Sequence, residues 1–301
     1  MFKNKNFQFT SFGEVLFDVF ENEKKIGGAP LNIALRISSL GFKAAIISAV
    51  GKDENGKEIL EFMRQKQVNT ASVAEVPQYP TGVVKVSLDK NGVAEYEIDY
   101  PAAWDAIPFS TETEKLVKGT DVIIYGSLAS RDEISRNSLL EALQRSDAMK
   151  VFDINLRPPH YNRETIQQLI QHADLIKFNE EELLEISASL GSDEISIERN
   201  MQFIKEKFKA TTICVTRGSA GAVLLYNDKF YYNGGRKIQL VDTVGAGDSF
   251  LGSFLCSLLS DQDPQKALDF ASVVGSIVAS SAGANPEIDL QEVEAIMQKN
   301  Q

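Results

Sequence analysis

Cysteine, histidine and tryptophan are scarce in this chain: two, two and one among 301 residues. Cys214 falls in an expected strand and Cys256 on an expected helix, so no disulfide framework and no metal-ligand spacing is present. Both read as small buried apolar residues. His160 and His172 stand at no recognisable metal or triad spacing and read as surface positions. Positive charge is also short. Lys and Arg number 31 against 42 Asp and Glu, giving a net charge of −11 and a pI near 4.9. This balance argues against a nucleic-acid binder, which usually shows a basic face, but does not forbid an anionic ligand, because local backbone dipoles can outweigh a distant net charge. No apolar run is long enough for a signal peptide or a membrane span, which makes the cytoplasm the expected location. There is no composition break, linker or tandem repeat. The length suits one large α/β domain, or a core with a small appendage.

What is present centres on residues 237–259, KIQLVDTVGAGDSFLGSFLCSLL. Lys237 to Val241 reads as a short strand. Asp242 to Gly247 is a loop nearly without side chains. From Asp248 onward, Phe250, Leu251, Phe254, Leu255 and Leu258 fall at the spacing of a buried helix face. A helix N-terminus carries unpartnered N–H groups and the positive end of the dipole. Gly245 and Gly247 let such a backbone close around an anion, and a phosphoryl group is the natural ligand. Asp248 is the odd member of this hollow. It reads either as a helix cap or as a base that takes a proton from an attacking hydroxyl.

Along the rest of the chain, apolar strands alternate with helical stretches. Strands are expected at 7–12, 44–50, 121–125, 150–155, 174–178, 212–216 and 222–226, with long helices near 132–146 and 265–282. Two alternating runs, Thr81–Leu88 and Val93–Tyr100, are joined by Asp89-Lys90-Asn91-Gly92, a hairpin signal that interrupts the βα repeat. It reads as part of a small separate sheet together with strands near 14–26. Asp153, Asn155 and Arg157 alternate and are expected on one strand face. Asn179 and Glu182 are neighbours at the start of a helix, as i and i+3. No P-loop is formed, since neither Gly51-Lys52 nor Gly56-Lys57 is followed by Ser or Thr. No GxGxxG follows the first strand.

The run Asp242-Thr243-Val244-Gly245-Ala246-Gly247-Asp248-Ser249-Phe250 resembles the C-terminal signature of the ribokinase/PfkB family of sugar kinases. Further similarities cover most of the chain: Gly13-Glu14-Val15-Leu16-Phe17-Asp18, Gly27-Gly28-Ala29-Pro30-Leu31-Asn32, Asp153-Ile154-Asn155-Leu156-Arg157, Asn179-Glu180-Glu181-Glu182 and Thr216-Arg217-Gly218-Ser219-Ala220-Gly221. The wording Gly-Gly-Ala-Pro and Ala102-Ala103-Trp104-Asp105 is most similar to bacterial fructokinases, in which the latter stretch lies near the sugar pocket.

The resemblance implies a ribokinase-like three-layer α/β/α core with a small β-sheet lid, as one domain over 1–301 with lid segments near 14–27 and 81–103. It implies ATP-dependent phosphoryl transfer to a primary hydroxyl of a hexose, fructose first. In this picture Asp248 is the base, and the backbone of Gly245, Ala246 and Gly247 forms the anion hole. Asp18, Gly27, Gly28, Asn32 and Arg157 hold the sugar. Asn179, Thr216, Gly218, Gly221 and Gly283 hold the nucleotide, and Glu182 reaches Mg²⁺ indirectly. ATP and Mg²⁺ are the implied cofactors, with a monovalent cation, K⁺, in many relatives, although Ser281 replaces a longer residue commonly found near that site. Alternatives on the same fold are 2-keto-3-deoxygluconate, ribose or nucleoside kinases. A non-catalytic sugar-binding regulator is a separate class, against which the intact loop and Asp248 argue. A homodimer paired through the exposed edge of the lid sheet is also implied.

Overall fold

The computed structural model describes residues 2, 4–88, 94–208, 210–261 and 263–299. In chain order its strands are β1 (Gln8–Phe12), β2 (Leu16–Val19), β3 (Lys24–Gly27), β4 (Lys43–Val50), β5 (Val68–Glu75), β6 (Gly82–Leu88), β7 (Ala94–Ile98), β8 (Val122–Gly126), β9 (Met149–Asp153), β10 (Leu175–Asn179), β11 (Thr212–Thr216), β12 (Ala222–Tyr226) and β13 (Lys229–Asn233). Helices are α1 (Ala29–Ser39), α2 (Glu54–Gln65), α3 (Thr111–Lys118), α4 (Glu133–Arg145), α5 (Arg163–Ile170), α6 (Glu180–Ser189), α7 (Ile197–Phe208), α8 (Ala246–Asp261), α9 (Pro264–Ala279) and α10 (Leu290–Lys299).

Among the described residues, nine strands form one sheet in the order β13-β12-β11-β10-β9-β8-β1-β4-β5. From β5 to β11 all neighbours are parallel; β12 and β13 continue as antiparallel strands. Parallel strands need cover on both faces. This sequence supplies it: seven of the eight residues of β4, in KAAIISAV, are buried. One apolar cluster joins the sheet to α1, α2, α8, α9 and α10, and a second joins the opposite face to α3 through α7. The three layers are those the resemblance implies, and a smaller sheet, β3-β2-β6-β7, stands apart from them.

Helix starts follow their capping residues. The side chains of Asp53, Ser110, Asn162 and Asp263 accept from backbone N–H groups three residues on, and Asp263 is followed by Pro264 at the first helical position. The chain order reverses between β1 and β8: β4 and β5 build outward on one side, then β8 to β11 on the other. Such a reversal opens a crevice beyond the strands' carboxyl ends.

Two expectations are corrected. Lys237 to Val241 is extended chain, not strand. β13 already forms the sheet's outer edge, and this segment instead lies over the end of α9, with the N–H groups of Val241 and Asp242 both reaching the Ala279 carbonyl. Leu240 and Val241 are accordingly exposed, at 62% and 57%. Second, Asp153, Asn155 and Arg157 do not alternate along a strand. β9 ends at Asp153, and Asn155 takes a left-handed conformation (φ 40°) that turns the chain. The Asp89-Lys90-Asn91-Gly92 turn lies outside the described residues, although β6 and β7 on either side pair antiparallel. No described helix is long and apolar enough to cross a membrane.

Candidate active site

The crevice between β1 and β8 is floored by charge. Glu14 leaves the end of β1 and is buried. Asp153 ends β9, and Lys177 stands on the neighbouring strand β10, beside it in register. Their side chains form a buried ion pair, Lys177 Nζ to Asp153 Oδ1 at 3.0 Å. A small cavity of about 10 Å³ opens here, lined by Glu14, Asp153 and Asn155 among others. It has room for about one water molecule. Glu14 Oε2 and Asp153 Oδ2 are both buried without a partner among the described residues.

Asp248 enters this floor from the first turn of α8. Its Oδ2 accepts a hydrogen bond from Asn32 Nδ2 of α1 at 2.8 Å. Burial raises its pKa to about 6, and the neighbouring Asp153 adds to the rise; Asn32, Lys177 and Arg157 act the other way. Glu14 is pushed up to about 7, mainly by burial, against the pull of backbone N–H groups and of Arg157. Burial disfavours the Lys177 ammonium, yet the charges of Asp153, Glu182 and Asp248 hold it protonated well above the usual lysine range.

The loop before α8 is shaped by close packing. Gly245 has φ 74°, and a Cβ there would lie 2.5 Å from the Ala284 Cβ. Asp242 caps the turn, accepting from Val244 N at 2.9 Å and Gly283 N at 3.2 Å. The Ala246 N–H makes a long bond of 3.3 Å to the Thr243 carbonyl. Among the described residues, the N–H groups of Gly245 and Gly247 meet no backbone carbonyl outside the helix. They are the amides free to receive an anion, with the Lys177 ammonium 3.3 Å from where a Cβ on Gly247 would sit.

The residues expected at a sugar converge on the same crevice. Asp18 lies on β2 of the small sheet, with its carboxylate directly over Gly27 of β3. Burial raises Asp18 to about 6, while Arg157 and Lys25 lower it and Asp242 raises it. Gly28 (φ 110°) is the N-cap of α1. A Cβ there would meet the Glu14 carbonyl at 2.5 Å, so only glycine fits between β1 and α1. Arg157 is exposed and donates to the Leu156 carbonyl, with its charge felt at Glu14, Asp18 and Asp248 alike.

The residues expected at a nucleotide lie further along the rim. Asn179 and Thr216 are register partners at the ends of β10 and β11. Gly218 (φ 54°) and Gly221 (φ 88°) belong to the turn between β11 and β12, and Gly283 is tied to Asp242. Arg217 Nε reaches Glu180 at 3.4 Å. Asn179 and Glu182 form a reciprocal capping box at the start of α6. Each Glu182 oxygen accepts one backbone N–H, from Leu156 at 3.0 Å and Asn179 at 2.7 Å. A carboxylate has about four acceptor sites, so water can still be bound on the remaining lone pairs. Among the described residues no cluster of three or more His, Cys, Asp or Glu stands ready to hold a metal directly.

Sequence reasoning passed over Glu14, Lys177 and Asn285 as functional residues. The signal for Lys177 was a lone ammonium inside the apolar run Leu175-Ile176-Lys177-Phe178, and for Glu14 an acid directly at the end of a buried strand. Cys214 and Cys256 are buried and free, and His160 and His172 are half-buried rather than on the open surface.

Comparison with known proteins shows the family and the fold. Residues 3–290 match the model of the pfkB family carbohydrate kinases. A fructokinase of Salmonella typhimurium is 27% identical over 298 residues, covering 93% of this chain and 95% of that protein. A crystal structure of fructokinase from Vibrio cholerae O395, with fructose, ADP and a calcium ion bound, superposes with a TM-score of 0.84 at 24% identity, covering 98% of this chain and 100% of the other. A fructokinase from Xylella fastidiosa with bound ATP gives a TM-score of 0.86 at 21% identity, covering 97% and 98%.

Proposed function

Because the chain belongs to the pfkB family of carbohydrate kinases, we propose that it is an ATP-dependent hexose kinase acting on the primary hydroxyl of fructose. The observation that carries this reading is Asp248: a half-buried carboxylate at the mouth of two free amides, held on one oxygen by Asn32 and open on the other. Its relatives named fructokinase, and the structure of one with fructose and ADP, support the choice of sugar.

In the proposed reaction the sugar lies between Asp18, the backbone at Gly27 and Gly28, Asn32 and Arg157. A carboxylate such as Asp18 offers several acceptor sites to adjacent hydroxyls. Asp248 accepts the proton of the primary hydroxyl while that oxygen attacks the γ-phosphorus of ATP. The bond from the γ-phosphorus to its bridging oxygen breaks, and ADP leaves. A pKa raised to about 6 makes Asp248 a stronger base than a surface aspartate, yet leaves it mostly ionised at neutral pH. The N–H groups of the Gly245-Ala246-Gly247 loop receive the charge on the transferring group. Asn179, Thr216, Gly218, Gly221 and Gly283 line the nucleotide's path. Glu182, whose oxygens keep lone pairs free, would hold a Mg²⁺ through water, and that ion would supply positive charge against the phosphates. Placement and electrostatics do most of the work. The small sheet acts as a lid that keeps water from competing as the nucleophile. Its edges, β3 and β7, offer a surface for a homodimer, which sedimentation velocity would detect. A cytoplasmic setting fits an ATP-dependent kinase of this kind.

The test is a coupled ADP-release assay with fructose, 2-keto-3-deoxygluconate, ribose and a purine nucleoside. Fructose is expected to give the highest kcat/KM; preference for another of the four overturns the substrate and leaves the fold. Asp248→Asn is expected to bind sugar and ATP normally and to lose roughly 10²–10⁴-fold in kcat. Near-normal turnover in that variant removes Asp248 from its role.

A further inference from the structure

Asn285 follows α9 and touches no candidate ligand group directly. Its Nδ2 donates to Asn32 Oδ1 at 2.8 Å, and Asn32 Nδ2 in turn donates to Asp248 Oδ2 at 2.8 Å. The remaining oxygen of Asn285 is buried and has no partner among the described residues. The polarity of this chain is dictated by Asp248. An ionised carboxylate can only accept, so Asn32 must present its NH₂ to it. The Asn32 oxygen then faces Asn285, which must also offer NH₂, and the Asn285 oxygen is left over. Buried polar atoms are rarely left so.

The segment holding Asn285 is anchored on both sides. Gly283 N donates to Asp242, Ala284 packs against Gly245, and the Pro286 carbonyl accepts from Arg36 at 3.0 Å. Arg36 also donates to Ser249 Oγ at 3.1 Å, one residue beyond Asp248. The loop before α8, the start of α8 and the end of α9 are thus bound to one another around α1.

We propose that Asn285 is a positioning residue: by donating to the Asn32 oxygen it anchors the Asn32 amide, so that its NH₂ holds Asp248 Oδ2 in place, and it couples the segment after α9 to the base. The inference rests on Asp248 being that base. The hydroxyl proton goes to the open oxygen, Oδ1, while Oδ2 remains the acceptor of Asn32 Nδ2, so the relay keeps its polarity through the transfer.

The test uses Asn285→Ala and Asn285→Asp, each alone and combined with Asn32→Ala, with kcat, both KM values, the pH dependence of kcat/KM and thermal unfolding measured. Asn285→Ala is expected to lower kcat about tenfold with both KM values within about threefold of wild type. Asn285→Asp introduces an acceptor-only group, which draws the Asn32 NH₂ away and turns the Asn32 oxygen toward Asp248. Its acid limb should move up by about one pH unit. The other groups facing Asp248 are unchanged in these variants: Glu14 beyond β1, Asp153 on β9, Arg157 in the loop after it, and Lys177 on β10. In the Asn32→Ala background both substitutions should lose their effect, since residues acting through one another are not additive. The proposal is overturned if folded Asn285→Ala keeps kcat within about twofold of wild type, or if either effect persists undiminished without the Asn32 amide. If the alanine variant does not fold, Asn285→Ser carries the same expectation. Loss of the base reading is seen separately, as turnover retained by Asp248→Asn.

Discussion

Asp248 lies under opposing influences, and their balance sets how it responds to pH. Burial and the adjacent Asp153 favour its neutral form, while Asn32, Lys177 and Arg157 favour the carboxylate. Asp18, across the crevice, is raised to a similar value, about 6, chiefly by burial. Both assigned roles need the ionised form, one to accept a proton and the other to accept hydrogen bonds from the sugar. Both groups gain protons as pH falls through about 6, so kcat/KM is expected to fall on the acid side with a logarithmic slope steeper than one. A pH–rate profile from 5 to 8.5 or so checks this, and Asp18→Asn should return the slope to one. A flat profile through pH 6 would show that neither carboxylate must be ionised. Lys177 contributes at the same scale from below. With Asp153 it forms a buried pair whose disruption on one side would leave an uncompensated charge.

The start of α8 is where the helix, the loop before it and the segment after α9 must fit together, and its two glycines do different work. At Gly245 the backbone is left-handed, and a Cβ would strike backbone and side-chain atoms of Ala284 between 2.5 and 2.7 Å. At Gly247 the only near neighbour among the described residues outside the helix's own backbone is the end of the Lys177 side chain, 3.3 Å away. Gly245→Ala is therefore expected to displace the amides and lower kcat by roughly 10²-fold or more, since one lost anion-hole donor costs about that much. Gly247→Ala should stay within about tenfold of wild type, because a flexible lysine can yield a few tenths of an ångström. Steady-state kinetics with thermal melts separates the two, and equal losses at both positions would refute the assignment of the strain to Gly245. Much of the alternation of strands and helices was legible in the sequence because buried parallel strands carry strong local signals, as in Lys43–Val50, whereas β5 and β13 at the sheet's two edges were not expected. The glycine loop was legible too. Less was legible where the chain's meaning depends on distant neighbours. Lys237–Val241 has the residues of a strand but no edge to join, and Asn155 ends β9 by a turn that alternation cannot reveal. Asn285 sits 253 residues from Asn32, and nothing local marks it.

At the scale of the molecule, the question is how two sheets of different size are joined over one crevice. The chain passes between them at Gly13–Val15, at Gly28, between β5 and β6, and between β7 and α3. Trp104, the one tryptophan, lies in the last of these passages and is fully buried. Its Nε1 lies 2.3 Å from where a Cβ on Gly82 of β6 would sit, so that only glycine lets the small sheet rest on the indole. On the other side the Arg131 guanidinium stands 4.0 Å from the ring, gripped by both oxygens of Asp105 at 2.8 Å. The ring is thus fixed to the large unit by Asp105 and Arg131, while its opposite edge abuts the small sheet. Movement of that sheet toward a bound sugar must change the packing around the indole. Saturating fructose is therefore expected to shift Trp104 emission, with a midpoint at the Kd found by calorimetry, and Trp104→Phe should abolish the signal. ATP alone, at the nucleotide site proposed beyond β10 and β11, should leave emission unchanged. If fructose binds by calorimetry while emission stays constant, the small sheet does not close, and water must be excluded by the sugar and nucleotide filling the crevice themselves.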